Sequence, residues 1–372
     1  MKINYRQLSV LVFMSFVALK FLALPSLLYE ISGNMSIFVA LVLMIIDGIY
    51  VYILLGLMKK CNEKNILDFM RKCFGTIITK ILLILLMFKY ALVVANLAKG
   101  LEFFVVENLY KEFDWLVFVL PLIALSAFMI YKGVRNIARV CELVCWFVFF
   151  GLIYVSLKAI KGVEPMSYLP LFKDGVVPLV KSGFTYLNWF GSGIFMVMLF
   201  GSVDFTTKKN GTMIRFLLYS LALVMLVYFI FYGLFEITSS THNFCISAIS
   251  EYNTGKSAID ELSWLIVALW IVAQAVQLAL YGFCLSQTIK FTFEINNEVV
   301  PILVVVAFML VWSFLGEQTI RLEEIFFSVP VSILNIITSY VIPILLWIGY
   351  GISKHKKKKP KGAKHEKIKN TV

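Results

Sequence analysis

Long apolar runs separated by short polar breaks recur along the chain. Ten of them read as membrane spans: 8–29, 35–58, 76–108, 115–131, 137–160, 180–203, 212–238, 259–290, 298–315 and 325–352. A helix rises about 1.5 Å per residue, so about 20 apolar residues cross the hydrocarbon core of a bilayer. Strand-like alternation is weak, which argues against an outer-membrane barrel. No short apolar region with a small-residue cleavage site opens the chain, so the first run is expected to stay as a transmembrane helix. The pattern predicts an all-α polytopic membrane protein, with one transmembrane domain over 1–352 and a basic tail over 353–372.

Two of these runs are interrupted. The first carries Lys20 near its middle and Pro25 five residues later. A lysine at the bilayer centre costs about 2.5–3.5 kcal/mol on insertion scales, and it normally faces a partner or a wet cavity. Proline removes a helical hydrogen bond, and the backbone groups it frees need new partners inside the protein. The sixth run contains Asn188-Trp-Phe-Gly-Ser-Gly193. Between the halves 1–160 and 180–352 lies an outer connection, 161–179, stiffened by Pro165, Pro170 and Pro178. Interrupted helices in corresponding places of two halves point to the binding site of an inverted-repeat transporter. The candidate ligand residues are Lys20, Leu22, Ala23 and Leu24 at the first break, and Asn188, Trp189, Gly191, Ser192 and Gly193 at the sixth-run break. Gly191 and Gly193 equally suit close helix packing.

Three ionisable residues fall near the midplane: Lys20, Asp47 and Lys89. Fully ionised, they leave one positive charge, which a ligand carboxylate neutralises; alternatively Lys20 pairs with Asp47 and Lys89 is neutral. All three are candidates for ion or proton coupling. In the eighth run Gln274, Gln277 and Tyr281 share one helical face, suited to a small polar ligand or to linking helices. Asn335, between Pro330 and Pro343, marks a kink in the last run.

Composition changes little in this picture. Sixty per cent of the 372 residues are hydrophobic and 15% charged. The formal charge of +12 gathers largely in the tail from Lys354 to Lys369, which suits a cytoplasmic anchor near anionic lipid rather than nucleic acid. Basic residues also favour the N-terminal side of the first run and the even-numbered connections, so both termini are expected in the cytoplasm. The six cysteines form no framework, and Cys141 and Cys145 have no ligand cluster beside them. No metal, cofactor or catalytic constellation is predicted, because no general base stands beside a nucleophile.

The chain resembles the B subunit of spore germinant receptors, the endospore germination permeases of the amino acid–polyamine–organocation superfamily. The likeness is carried by Ile3-Asn-Tyr-Arg-Gln-Leu8 leading to Leu24-Pro25, by Arg135-Asn-Ile-Ala-Arg-Val-Cys-Glu142, and by Tyr168-Leu-Pro-Leu-Phe-Lys-Asp-Gly175 followed by Val177-Pro178. The resemblance implies a LeuT-like 5+5 inverted repeat with broken helices 1 and 6, and a small nutrient, most often an amino acid, bound between them. It also implies an A subunit and a C-subunit lipoprotein as partners in the inner spore membrane. Two positions depart from the family pattern: Lys20 stands where a small residue is common, and Gly191-Ser192 where glycine–glutamate is common. A ligand-sensing subunit is therefore the leading expectation. A proton-coupled amino acid transporter is the alternative, followed by an ion channel and, last, a membrane-embedded enzyme.

Overall fold

The computed structural model describes residues 2–21, 23–60, 65–108, 116–170, 175–208, 211–252, 262–314 and 328–358. It is built almost wholly of helices. The first run divides into α1 (Tyr5–Ala18), a 3-10 turn (Leu19–Phe21) and α2 (Leu24–Ser32). Asn4 and Gln7 start α1 with a capping box, in which the Gln7 side chain accepts from the Asn4 N–H at 3.0 Å. Pro25 lies in the first turn of α2, where a missing N–H costs no helical bond, so it opens the second half-helix rather than kinking a continuous one. Gly33, at φ 49°, ends α2.

Helix α3 (Ser36–Lys60) leads to α4 (Ile66–Asn108), which Gly75 splits at φ 78°, one residue before the start of the predicted third span. Helices α5 (Leu116–Lys132) and α6 (Val134–Ala159) meet at Gly133, φ 83°. The sixth run breaks into α7 (Val177–Thr185), 3-10 turns at Leu187–Trp189 and Ser192–Ile194, and the single turn α8 (Phe195–Met198). Then follow α9 (Thr212–Phe235), α10 (Cys245–Tyr252), α11 (Leu262–Thr292) and α12 (Val299–Phe314). The last run is also divided, into α13 (Val329–Ile336), a π-helical turn (Ile337–Val341) and α14 (Ile342–Lys358).

Among the described residues, six stretches are long and apolar enough to cross a membrane, with Leu24–Lys60, two helices joined at Gly33, counted as one. Three shorter apolar helices, Val119–Lys132, Leu187–Met198 and Val299–Phe314, accompany them. The exterior is apolar, with Ile49, Leu143, Phe150 and Leu303 all exposed, while Lys20, Asp47, Gln274 and Gln277 are buried inside. That inversion of a soluble protein's arrangement is the arrangement a bilayer demands, and the chain is a polytopic membrane protein. Helix α11 is the central post: its apolar window is 78% buried, against 33–44% in the other five stretches.

One end of the bundle gathers the chain start and four later connections. β1 (Ile3–Asn4) pairs in parallel with β2 (Val203–Asp204), and the Ile3 N–H donates to Ser202 O at 2.8 Å. Arg6 pairs with Glu142 at 3.3 Å, Lys59 lies over the Tyr5 ring, and Arg71 and Lys80 both reach Glu294. At the other end Ser26 donates to the His242 carbonyl and Asn243 to the Glu107 carboxylate. Helix α10 lies in the connection after the seventh run, and its first residue, Cys245, is buried with its thiol 3.6 Å from the Phe21 carbonyl.

Candidate functional site

A backbone broken in the middle of an apolar bundle must find hydrogen-bond partners for the groups the break frees. Side chains from three other helices supply them at the first break. Gln274 Nε2, on α11, donates to Ala18 O at 2.8 Å. Tyr228 and Tyr232, one turn apart on α9, donate to Lys20 O at 2.6 Å and Pro25 O at 2.9 Å. Cys245 on α10 reaches Phe21 O, and Ser15 on α1 donates to Gln277 Oε1 at 2.9 Å, tying α1 itself to α11. The sixth-run break is treated alike. Asn335 Nδ2 donates to Leu187 O at 3.0 Å, Tyr281 to Ser192 O at 2.7 Å and Tyr90 to Ile194 O at 2.9 Å.

Lys20 joins the two breaks. Fully buried, its ammonium donates to Trp189 O and to Ser192 Oγ at 2.9 Å, lies 3.7 Å from Asp47 Oδ2 and sits 4.0 Å from the centre of the Phe190 ring. The Ser192 N–H donates to the same Asp47 oxygen at 3.3 Å. One ammonium and one carboxylate thus bind the first break, the sixth-run break and α3 into a single knot. Charge-assisted bonds of this kind are about twice as strong as neutral ones.

Both glycines permit close approach. Gly191 adopts φ 78°, and a Cβ there would lie 2.6 Å from Ser339. A Cβ at Gly193 would lie 2.5 Å from Val51. Beside the knot is a cavity of about 50 Å³, lined by Leu19, Lys89, Asn96, Asn188, Trp189 and Asn335, with Gly191, Ser192 and Tyr281 also on its wall. A water takes about 10–15 Å³ of such space, so there is room for roughly four. Lys89 donates to Asn335 Oδ1 across it.

The sequence-predicted residues are therefore brought together unequally. Asn188, Trp189, Gly191, Ser192, Tyr281 and Lys89 line the cavity. Asn188 also donates to Ser332 Oγ at 3.0 Å. Lys20, Asp47, Gln274, Gln277 and Gly193 hold the surrounding structure and are not on its wall. Ala23 caps α2 and Leu24 is buried in the core; Leu22 lies outside the described residues. Sequence reasoning missed Leu19 as a wall residue and Tyr228, Tyr232 and Tyr90 as caps. Aromatic residues make up 15% of the chain, so no pattern set these tyrosines apart. Among the described residues no group of three metal-ligating side chains occurs.

A family model described as Spore germination protein matches residues 2–320. No curated protein sequence matches the chain.

Proposed function

The chain belongs to the Spore germination protein family, a germination-permease family of membrane proteins, and from that premise we propose that it is the ligand-sensing subunit of a nutrient germinant receptor. In this reading the ten predicted spans over 1–352 form a LeuT-like 5+5 inverted repeat, with breaks in helices 1 and 6. Both termini lie in the cytoplasm, the tail over 353–372 follows there, and A and C subunits of the receptor receive the signal in the inner spore membrane. The cavity carries the proposal. Its wall takes Leu19 from the first break and Asn188 to Ser192 from the sixth-run break, and adds Lys89, Tyr281 and Asn335 from three further helices. A ligand there touches both breaks and three further helices.

Size argues for motion. The smallest amino acid has about five heavy atoms, and the cavity holds roughly four waters. Binding an amino acid therefore requires the cavity to enlarge, and a ligand shifts such an equilibrium only by its differential affinity for the two arrangements. The buried Lys20–Asp47 pair beside Lys89 favours one second reading, a proton-coupled amino acid transporter.

A paired measurement tests both. Purified protein is assayed for equilibrium binding of labelled amino acids, and proteoliposomes for uptake of those that bind, with and without a pH gradient. Saturable binding without gradient-driven uptake is the result expected of a sensor. Concentrative uptake driven by the gradient makes the protein a transporter.

A further inference from the structure

The sequence leaves one excess positive charge among Lys20, Asp47 and Lys89 for an anionic ligand, and the geometry locates it away from Lys20. Lys20 is fully engaged: a carboxylate, a carbonyl, a hydroxyl and an aromatic face surround its ammonium. Lys89 differs. It is only 5% exposed, it lines the cavity, and among the described residues its amine has a neutral amide oxygen, Asn335 Oδ1, as its partner and no carboxylate in an ion pair. That oxygen is shared, since Ser339 Oγ also donates to it at 3.2 Å. Among the described residues Lys99 pairs with Glu102, and Lys20 and Lys89 are left with one buried carboxylate, Asp47, between them; the unmatched lysine, Lys89, lines the cavity.

A buried ammonium is matched far better by a carboxylate than by an amide. We propose that Lys89 is the recognition group for a carboxylate of the ligand, whose oxygen takes the place that Asn335 Oδ1 holds in this conformation. The inference rests on the cavity being the ligand site. Asn96, two turns along α4 from Lys89, lies on the same wall and offers a further polar contact. The exchange also supplies a route for the signal. Asn335 is bonded to Leu187 O at the sixth-run break and lies two residues before the π-helical turn Ile337–Val341. A carboxylate that takes Lys89 from Asn335 uncouples α4 from α13 while leaving the Lys20 knot intact.

The test is equilibrium binding to the full-length protein in lipid nanodiscs. The probes are L-amino acids, the matching amino acid amides, the matching acids without the amine, a nucleoside and a sugar. Free acids are expected to bind, and amides to bind at least tenfold more weakly. Lys89→Gln should weaken binding of the free acids by roughly ten- to a hundredfold, with Lys89→Arg retaining most of it. Asn335→Asp places a fixed carboxylate beside Lys89 and should reduce binding as much as Lys89→Gln does. The analogue series on unmodified protein stands even if a variant fails to fold. Amides that bind as tightly as acids overturn the assignment, as does a folded Lys89→Gln with unchanged affinity. Binding of only the nucleoside or the sugar overturns it too, while leaving the sensor reading intact. If no probe binds, the sensor reading falls and this inference falls with it.

Discussion

Replacing Lys20 with methionine tests the knot between the breaks. The substitution keeps length and apolar bulk but leaves Asp47, which is fully buried, without its counter-charge. At 3.7 Å and an effective dielectric of about 20, the lost attraction amounts to about 4 kcal/mol. Removing one member of a buried pair costs about 3–5 kcal/mol by a separate route, because the survivor is an uncompensated charge. We expect Lys20→Met to lose stability in that range. Lys20→Met combined with Asp47→Asn should recover most of it, since neither charge then remains. The assay is urea or thermal unfolding of detergent-solubilised protein, followed by tryptophan fluorescence and by retention of a monodisperse chromatographic peak. A single Lys20→Met variant as stable as the parent refutes the argument. So does a double variant no more stable than the single one, for the cost would then lie in packing and not in charge.

Three further outcomes follow from the geometry. Gly191→Ala meets both a positive φ and the Ser339 side chain, so it should cost about 2–4 kcal/mol; adding Ser339→Gly should restore the steric share but not the backbone share. Gln274→Leu leaves the Ala18 carbonyl buried without its donor and should destabilise by about 1–3 kcal/mol in the same unfolding assay. Burial holds His242 below its usual pKa despite the opposing pull of Glu251. The folded state therefore takes up its proton less readily than the unfolded one. Its contribution is complete above the ordinary histidine range and falls as pH drops through about 6.5. A melting-temperature series from pH 8 to pH 5 should show a small decline on acidification, which His242→Asn flattens.

The breaks were legible in the sequence because they are written in residues a membrane helix tolerates poorly. Lys20, Pro25 and the Gly191–Gly193 pair each marked a discontinuity that the structure contains. Counting residues from span ends also put Lys20, Asp47 and Lys89 at one depth, and all three are buried. Depth is not rotation, however. Which lysine meets the carboxylate and which meets the cavity depends on how helices turn about their axes, and that follows from packing between residues as far apart as Lys89 and Asn335. Tyr228, Tyr232 and Tyr90 were invisible for a related reason, being aromatic residues in apolar runs that differ from their neighbours only in where one hydroxyl points. The β1–β2 pair, two residues on each side, is too short for any periodicity to reveal.

The Lys20 knot imposes an order of assembly. Its partners are supplied at very different times during synthesis. At about 5–20 residues per second, Asp47 follows Lys20 by roughly 1–5 s, whereas Trp189 and Ser192 follow by about 8–35 s. The lysine can thus enter the bilayer already neutralised within a hairpin of the first two runs, and wait there for the sixth. A chain lacking Asp47 would instead present a bare ammonium to the insertion machinery until more than half the protein had been made. Damage at position 47 should therefore appear first as poor membrane insertion and loss during biogenesis, before any finished molecule meets a ligand.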